Sequence, residues 1–122
     1  MKYVLIVVGG GAGSLARYLA GTAIMTRFGS RFPMGTLVVN VTGCFLIGLL
    51  MTLITERFSP GTNWRPLLVI GFLGGYTTFS SFEWETYAAA RDGSHWMGLV
   101  NVIASVVFGY AAVWLGAAIA RR

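Results

Sequence analysis

Four long apolar stretches separated by short polar connections organise the chain. They run from Tyr3 to Met25, Pro33 to Thr55, Pro66 to Ala90 and Trp96 to Ala120. Each reaches the roughly 20 apolar residues that a helix needs to cross the hydrocarbon core of a bilayer. The pattern predicts an all-α integral membrane domain over residues 1–122, with four transmembrane helices spanning 3–25, 33–55, 66–90 and 96–120. Arg27-Phe28-Gly29-Ser30-Arg31, Ser59-Pro60-Gly61 and Arg91-Asp92-Gly93-Ser94 read as the connections. Pro33 and Pro66 fall where a first helical turn tolerates a missing N–H.

The third stretch breaks its own pattern. Gly71-Phe-Leu-Gly-Gly-Tyr-Thr-Thr-Phe-Ser-Ser-Phe82 combines two adjacent glycines, each costing about 1 kcal/mol of helix stability against alanine, with four hydroxyls that compete for backbone hydrogen bonds. A helix that stops near Gly74 and Gly75 and restarts between Thr77 and Ser80 is predicted. Lipid offers no partner to the freed main-chain groups, so such a break must be buried in protein or face water. Carbonyls of the first half suit a cation and amides of the second suit an anion. The stretch therefore reads as an ion site, with a packing kink as the plain alternative.

Composition sharpens this picture. The 122 residues are 56% hydrophobic and 11% charged, which excludes an ordinary soluble domain. The net charge of +5 comes from eight arginines and one lysine placed mostly near segment ends. That distribution meets lipid headgroups; it does not form the basic face of a nucleic-acid binder. Cys44 is the single cysteine and reads as a small buried filler, and His95, the single histidine, falls in a polar turn. No signature of nucleophilic or metal-dependent catalysis is present, so an enzyme is not expected. Gly11-x-Gly13-x-x-Ala16 imitates a dinucleotide fingerprint but lacks the acidic residue and βαβ context. Gly9-x-x-x-Gly13 is better read as a close helix contact. The apolar run continues past any cleavage site after Ser14-Leu15-Ala16, so it is read as a span rather than a signal peptide.

Several polar residues lie inside the spans. Arg17 sits about 12 Å of helix from the end of the first, placed either to snorkel or to attract anions in an aqueous vestibule. Thr36, Asn40 and Gly43 share one face of the second, where Asn40 serves as interhelical glue or as an N–H donor to a dehydrated anion. Phe79 and Phe82 are three apart, so their rings share a side. Their positive edges suit a small anion, and lipid-facing or core bulk is the bland reading. Glu83 and Glu85 are placed nearer water. Asn101, Ser105 and Gly109 make a narrow track on the last span that either lines a pore or bonds to a neighbour. Gly48, and Ala112, Gly116 and Ala120 at four-residue spacing, permit close packing.

Four spans put both termini on one side with Lys2, Arg57, Arg65, Arg121 and Arg122, against Arg27, Arg31 and Arg91 on the other. Five against three specifies orientation weakly, so insertion both ways is expected. A homodimer is the simplest way to cover a broken helix.

With these residues in view, the chain resembles the Fluc (CrcB) fluoride channel family over essentially its whole length. The motifs are Gly9-Gly-Gly-Ala-Gly-Ser-Leu-Ala-Arg17-Tyr18, Gly35-Thr-Leu-Val-Val-Asn40-Val-Thr-Gly43 and, most specifically, Gly71 to Phe82, with Asn101 and Ser105 beyond. The resemblance implies an antiparallel dual-topology homodimer in the cell membrane, with two fluoride pores and a structural sodium ion at its centre. It implies that sodium is held by the backbone carbonyls of Gly74 and Thr77. It assigns Asn40, Phe79 and Phe82 to the pore, with Thr36, Ser80, Asn101 and Ser105 on polar tracks and Arg17 and Glu85 in the vestibule. Ser81 and Glu83 depart from the more usual threonine and small polar residue, as do Asn101 and Gly109 from a tyrosine or serine on the last helix. Passive fluoride export from the cytoplasm is the implied function. A small dual-topology multidrug or cation exporter would need a mid-span carboxylate, which the first three segments lack before Glu83. In a non-transporting assembly subunit the polar residues would be glue only.

Overall fold

The computed structural model describes residues 1–29, 32–58 and 61–122. Arg31, counted above in the charge balance, and Ser59-Pro60 of the second turn lie outside the described residues. All described elements are helical. Helix α1 covers Lys2–Phe28 and closes on Gly29, whose positive φ of 42° is the left-handed cap that glycine adopts without strain. Helix α2 covers Met34–Thr52 and continues as a wide π turn over Leu53–Phe58. A second π segment, Arg65–Leu73, leads into α3, Gly74–Tyr76. After a gap come α4, Ser80–Asp92, and α5, His95–Arg121. Ser94 caps α5 by accepting the Met97 N–H.

Three helices are long and apolar enough to cross a membrane: Lys2–Phe28, Met34–Arg57 and His95–Arg121. They agree with the first, second and fourth predicted spans. The predicted third span is in two pieces, and neither is a crossing helix by itself. The interruption lies where the glycines and hydroxyls suggested: the first half stops at Tyr76, one residue past Gly75, and the second restarts at Ser80. Gly74 is helical, with φ −61° and ψ −37°, and the chain leaves the helix only at Thr77, whose φ of −89° and ψ of 157° are extended. The preceding helix is wide, and the Gly74 N–H reaches back to the Val69 carbonyl, five residues away.

Two close pairings build the bundle, α2 on α5 and α1 on the Arg65–Tyr76 half. Both depend on absent side chains. A Cβ on Gly13 would run into the Phe72 carbonyl, and one on Gly75 into the Gly10 carbonyl. On the other side, Gly48 meets the Val113 backbone and Gly116 the Phe45 carbonyl. The small residues read as packing positions are thus where main chains approach most closely, and Ala112 and Ala120 are buried beside Gly116. The ends of α2 and α5 are joined by an ion pair between Arg121 and Glu56, 2.9 Å, and by Arg57 Nη2 donating to the Arg121 carbonyl at 3.1 Å. Arg57 and Arg121 therefore lie at the same end of the bundle. His95 and Glu83 are exposed, and Cys44 is half-buried.

Candidate functional site: the helix break and its cavity

Between Tyr76 and Ser80 the chain gives up helical hydrogen bonding, and several of the groups near the break take other partners. The Leu73 carbonyl takes both the N–H and the hydroxyl of Thr77, at 3.0 and 2.9 Å. The Thr78 N–H, which would have closed on the Gly74 carbonyl, donates instead to Asn40 Oδ1 at 2.9 Å. Asn40 Nδ2 donates back to the Thr78 carbonyl, also at 2.9 Å. One side-chain amide thus pairs with both polar groups of one peptide residue, as a neighbouring strand would. The Ser81 N–H, freed from the Thr77 carbonyl, is taken at 3.2 Å by Thr78 Oγ1, which caps the restarted helix. Gly75 offers its carbonyl to Arg17 Nε at 3.2 Å.

These diversions leave the Gly74 and Thr77 carbonyls without their ordinary helical amides. Gly74 is exposed, and a Cβ there would meet nothing nearer than 4.0 Å. The donor set suits a hard monovalent cation, which takes oxygen ligands. Among the described residues no cluster of His, Cys, Asp or Glu assembles a site for a metal, so a cation here would depend on main-chain oxygens.

Helix α2 brings the other predicted residues to the break. Thr36, Asn40 and Gly43 lie on the face that meets it, with Gly43 leaving room for the Thr77 methyl. Thr36 lines a cavity of about 670 Å³ together with Arg17, Ser81 and Glu85. Arg17 is therefore turned inward to the break rather than snorkelling, and one oxygen of Glu85 is buried without a hydrogen-bond partner. Phe79 and Phe82 stand 5.9 Å apart with planes at 55°. Phe82 is buried at 7% exposure, whereas Phe79 is 74% exposed. Ser80 opens α4 beside them.

The predicted track on α5 divides in two. Asn101, only 1% exposed, donates to Thr86 Oγ1 at 2.8 Å, and Thr86 in turn donates to the Phe82 carbonyl at 2.7 Å. Asn101 is thus tied to the phenylalanine pair through Thr86. Ser105 lies apart, in a groove with Cys44, Gly109 and Trp114, and its buried hydroxyl has no partner. Thr78 was read only as one of four hydroxyls suited to a helix end, and Thr86 was not singled out from the sequence. The spacing Thr78 to Ser81 is a legible cap, but nothing local marks Thr86 as a relay.

The polar end of α4 is held separately: Arg91 pairs with Asp92 at 2.8 Å and keeps that carboxyl below the usual carboxylate range.

The description "CrcB-like protein, Camphor Resistance (CrcB)" fits residues 4–117 at the level of the family model. The chain is 70% identical over 122 residues to a protein of Solibacter usitatus, with both chains fully covered. It is 45% identical over 122 residues to one of Acidobacterium capsulatum, covering all of this chain and 98% of that one. A Coxiella burnetii protein is 46% identical over 123 residues, covering all of this chain and 99% of its own. All three relatives carry the name "Fluoride-specific ion channel FluC". A match of this extent, over a fold of several apolar helices with one interruption, places this multi-pass membrane protein in the CrcB-like family.

Proposed function

We propose that the chain is a fluoride-selective passive channel in the cell membrane, through which fluoride leaves the cytoplasm. It works as an antiparallel, dual-topology homodimer with two pores. The observation that carries this reading is the break itself, gripped by Asn40 and flanked by the tilted pair Phe79 and Phe82. The names of the full-length relatives supply the ion.

Fluoride is small and strongly hydrated, so entry into a narrow bore requires replacements for water. Arg17 draws the anion into the cavity, and Thr36 and Ser80 offer hydroxyls along the way. Asn40 Nδ2 carries a second N–H beyond the one given to Thr78. The edges of Phe79 and Phe82 add positive quadrupole character without a full charge that would trap the ion. Asn101 acts at one remove, holding Thr86 against the Phe82 carbonyl, and Ser105 lies in a separate groove. A bore matched to fluoride penalises the larger chloride.

The third span, in this reading, is the two half-helices together, and their interruption needs shelter from lipid. An inverted second copy supplies it, covering the exposed Gly74 and Phe79. The Gly74 and Thr77 carbonyls of the two copies would hold a structural sodium ion at the centre. When bound, that ion supplies the positive charge that offsets their dipoles.

Purified protein in liposomes tests this directly. Fluoride should leave rapidly once a potassium ionophore dissipates the membrane potential, and chloride should not. Absence of fluoride flux from well-folded dimers would refute the channel.

A further inference from the structure

Two consecutive residues of α2 grip two consecutive residues at the break. Gly43 receives the Thr77 side chain, and Thr42 Oγ1 lies 2.9 Å from the Tyr76 hydroxyl. The direction of that bond follows from counting protons. Thr42 has one hydroxyl hydrogen, and it goes to the Val39 carbonyl at 3.0 Å. The Tyr76 phenol is therefore the donor and Thr42 the acceptor. The Tyr76 ring is fixed from its other side by stacking on Phe72, with centroids 5.8 Å apart and planes at 10°. Tyr76 is the last residue of α3, so a hold on its ring is a hold on the final turn before the chain extends. That turn carries the Gly74 carbonyl and leads into that of Thr77.

We infer that Tyr76 and Thr42 are positioning residues for the cation site: their hydroxyl pair fixes where the freed carbonyls point and so sets the affinity for sodium. This rests on the reading that sodium binds at the break. Carbonyls on an unrestrained helix end must be ordered when the ion arrives, whereas carbonyls already held give up little freedom. Tyr76→Phe keeps the ring and its stack on Phe72 and removes only the donor. Thr42→Val removes the acceptor at similar volume, and Thr42→Ser keeps the hydroxyl.

The experiment measures fluoride efflux from liposomes across a series of sodium concentrations, with N-methylglucamine as the replacement cation. Dimer content is checked by size exclusion, and the sodium-dependent rise in melting temperature of the purified protein reads sodium affinity without flux. Tyr76→Phe and Thr42→Val should each raise the half-saturating sodium concentration roughly 2- to 10-fold, the equivalent of one net hydrogen bond. The rise in melting temperature should shift to higher sodium by the same factor, and an unshifted rise would overturn the inference. Efflux at saturating sodium should match the unsubstituted protein. Combining them should add little, and Thr42→Ser should behave as the parent. An unshifted sodium dependence in both variants would overturn the inference while leaving the sodium reading intact. So would a loss of efflux in dimeric Tyr76→Phe that saturating sodium does not restore. Sodium-independent efflux from the unsubstituted protein would overturn the sodium reading, and this inference with it.

Discussion

Asn40→Asp isolates charge from shape at the break. The two residues are nearly isosteric, so the backbone of α2 and the fit against Thr78 are retained. One carboxylate oxygen can still accept the Thr78 N–H, but the other faces the Thr78 carbonyl at the 2.9 Å now occupied by a hydrogen bond. Losing that bond and leaving an acceptor against an acceptor costs about 1–3 kcal/mol. The larger effect falls on the ion. A unit negative charge about 5 Å from a passing anion raises its energy by about 3 kcal/mol at an effective dielectric of about 20. That corresponds to roughly a hundredfold or greater fall in occupancy, hence in flux. Fluoride efflux from liposomes, read with a fluoride electrode and normalised to dimer content, measures it. Asn40→Ser is the companion, since it removes the grip on Thr78 without adding charge and should reduce flux less. Flux in dimeric Asn40→Asp within twofold of the parent would remove Asn40 from the ion path.

Replacing Phe79 or Phe82 with Ile should suppress flux, because bulk is kept and the ring edge is lost; unchanged flux in both would take the rings out of the mechanism. The two should differ in stability. Phe82→Ile alters a buried side chain and should cost about 1 kcal/mol in the protomer, whereas Phe79→Ile should be felt only in the assembled dimer, as thermal unfolding in detergent would reveal. Gly116→Ala should destabilise by about 1–3 kcal/mol by forcing a Cβ against the Phe45 carbonyl. Gly11→Ala, with open space around it, should be neutral or stabilising by up to about 1 kcal/mol, and equal melting temperatures for the two would refute the packing account. Arg17→Gln should lower flux most at low fluoride, and an unaltered concentration dependence would show that its charge does not recruit the anion.

The long apolar helices were legible because length and hydropathy alone define them: α1, α2 and α5 fall within a few residues of the predicted 3–25, 33–55 and 96–120. The close contacts at Gly13, Gly48 and Gly116 were legible for a related reason, since small residues at fixed spacing inside a span have few other uses. The wide turns at Leu53–Phe58 and Arg65–Leu73 were not, because a π helix differs from an α helix by one residue of hydrogen-bond register and leaves no mark in hydropathy. The break itself was legible, because adjacent glycines followed by four hydroxyls mark a helix end, and it falls between Tyr76 and Ser80. Asn40 stood out as polar within a span, yet its partner Thr78, in another span, is a tertiary fact. Asn101 shows the limit most clearly. From its spacing it could line a pore or bond to a neighbour, and only packing reveals its donation to Thr86 and the link onward to Phe82.

A helix broken inside a membrane must either satisfy its freed groups or use them, and the distribution of partners here separates the two. Within one protomer the Thr78 peptide is satisfied by Asn40, the Ser81 amide by Thr78, and the Gly75 carbonyl by Arg17. Two amides at the start of the second half, those of Thr78 and Ser81, are therefore held by side chains, while of the first half's last carbonyls that of Gly75 is held by Arg17. A kink that existed merely for packing would also need its amides satisfied, so the feature that sets this break apart is Gly74, left open on the surface. Arg17 is the costliest of the partners, since an arginine within a span is expensive unless it is paired or hydrated. Its bond to Gly75 uses Nε, and the rest of the guanidinium borders the cavity shared with Thr36 and Glu85. One residue thus ties the first half-helix to α1 and presents positive charge to the cavity. That coupling gives a sharp expectation: Arg17→Met should weaken both stability and anion entry, whereas Arg17→Lys, which keeps the charge but reaches Gly75 with a different donor, should retain more of the flux than of the melting temperature.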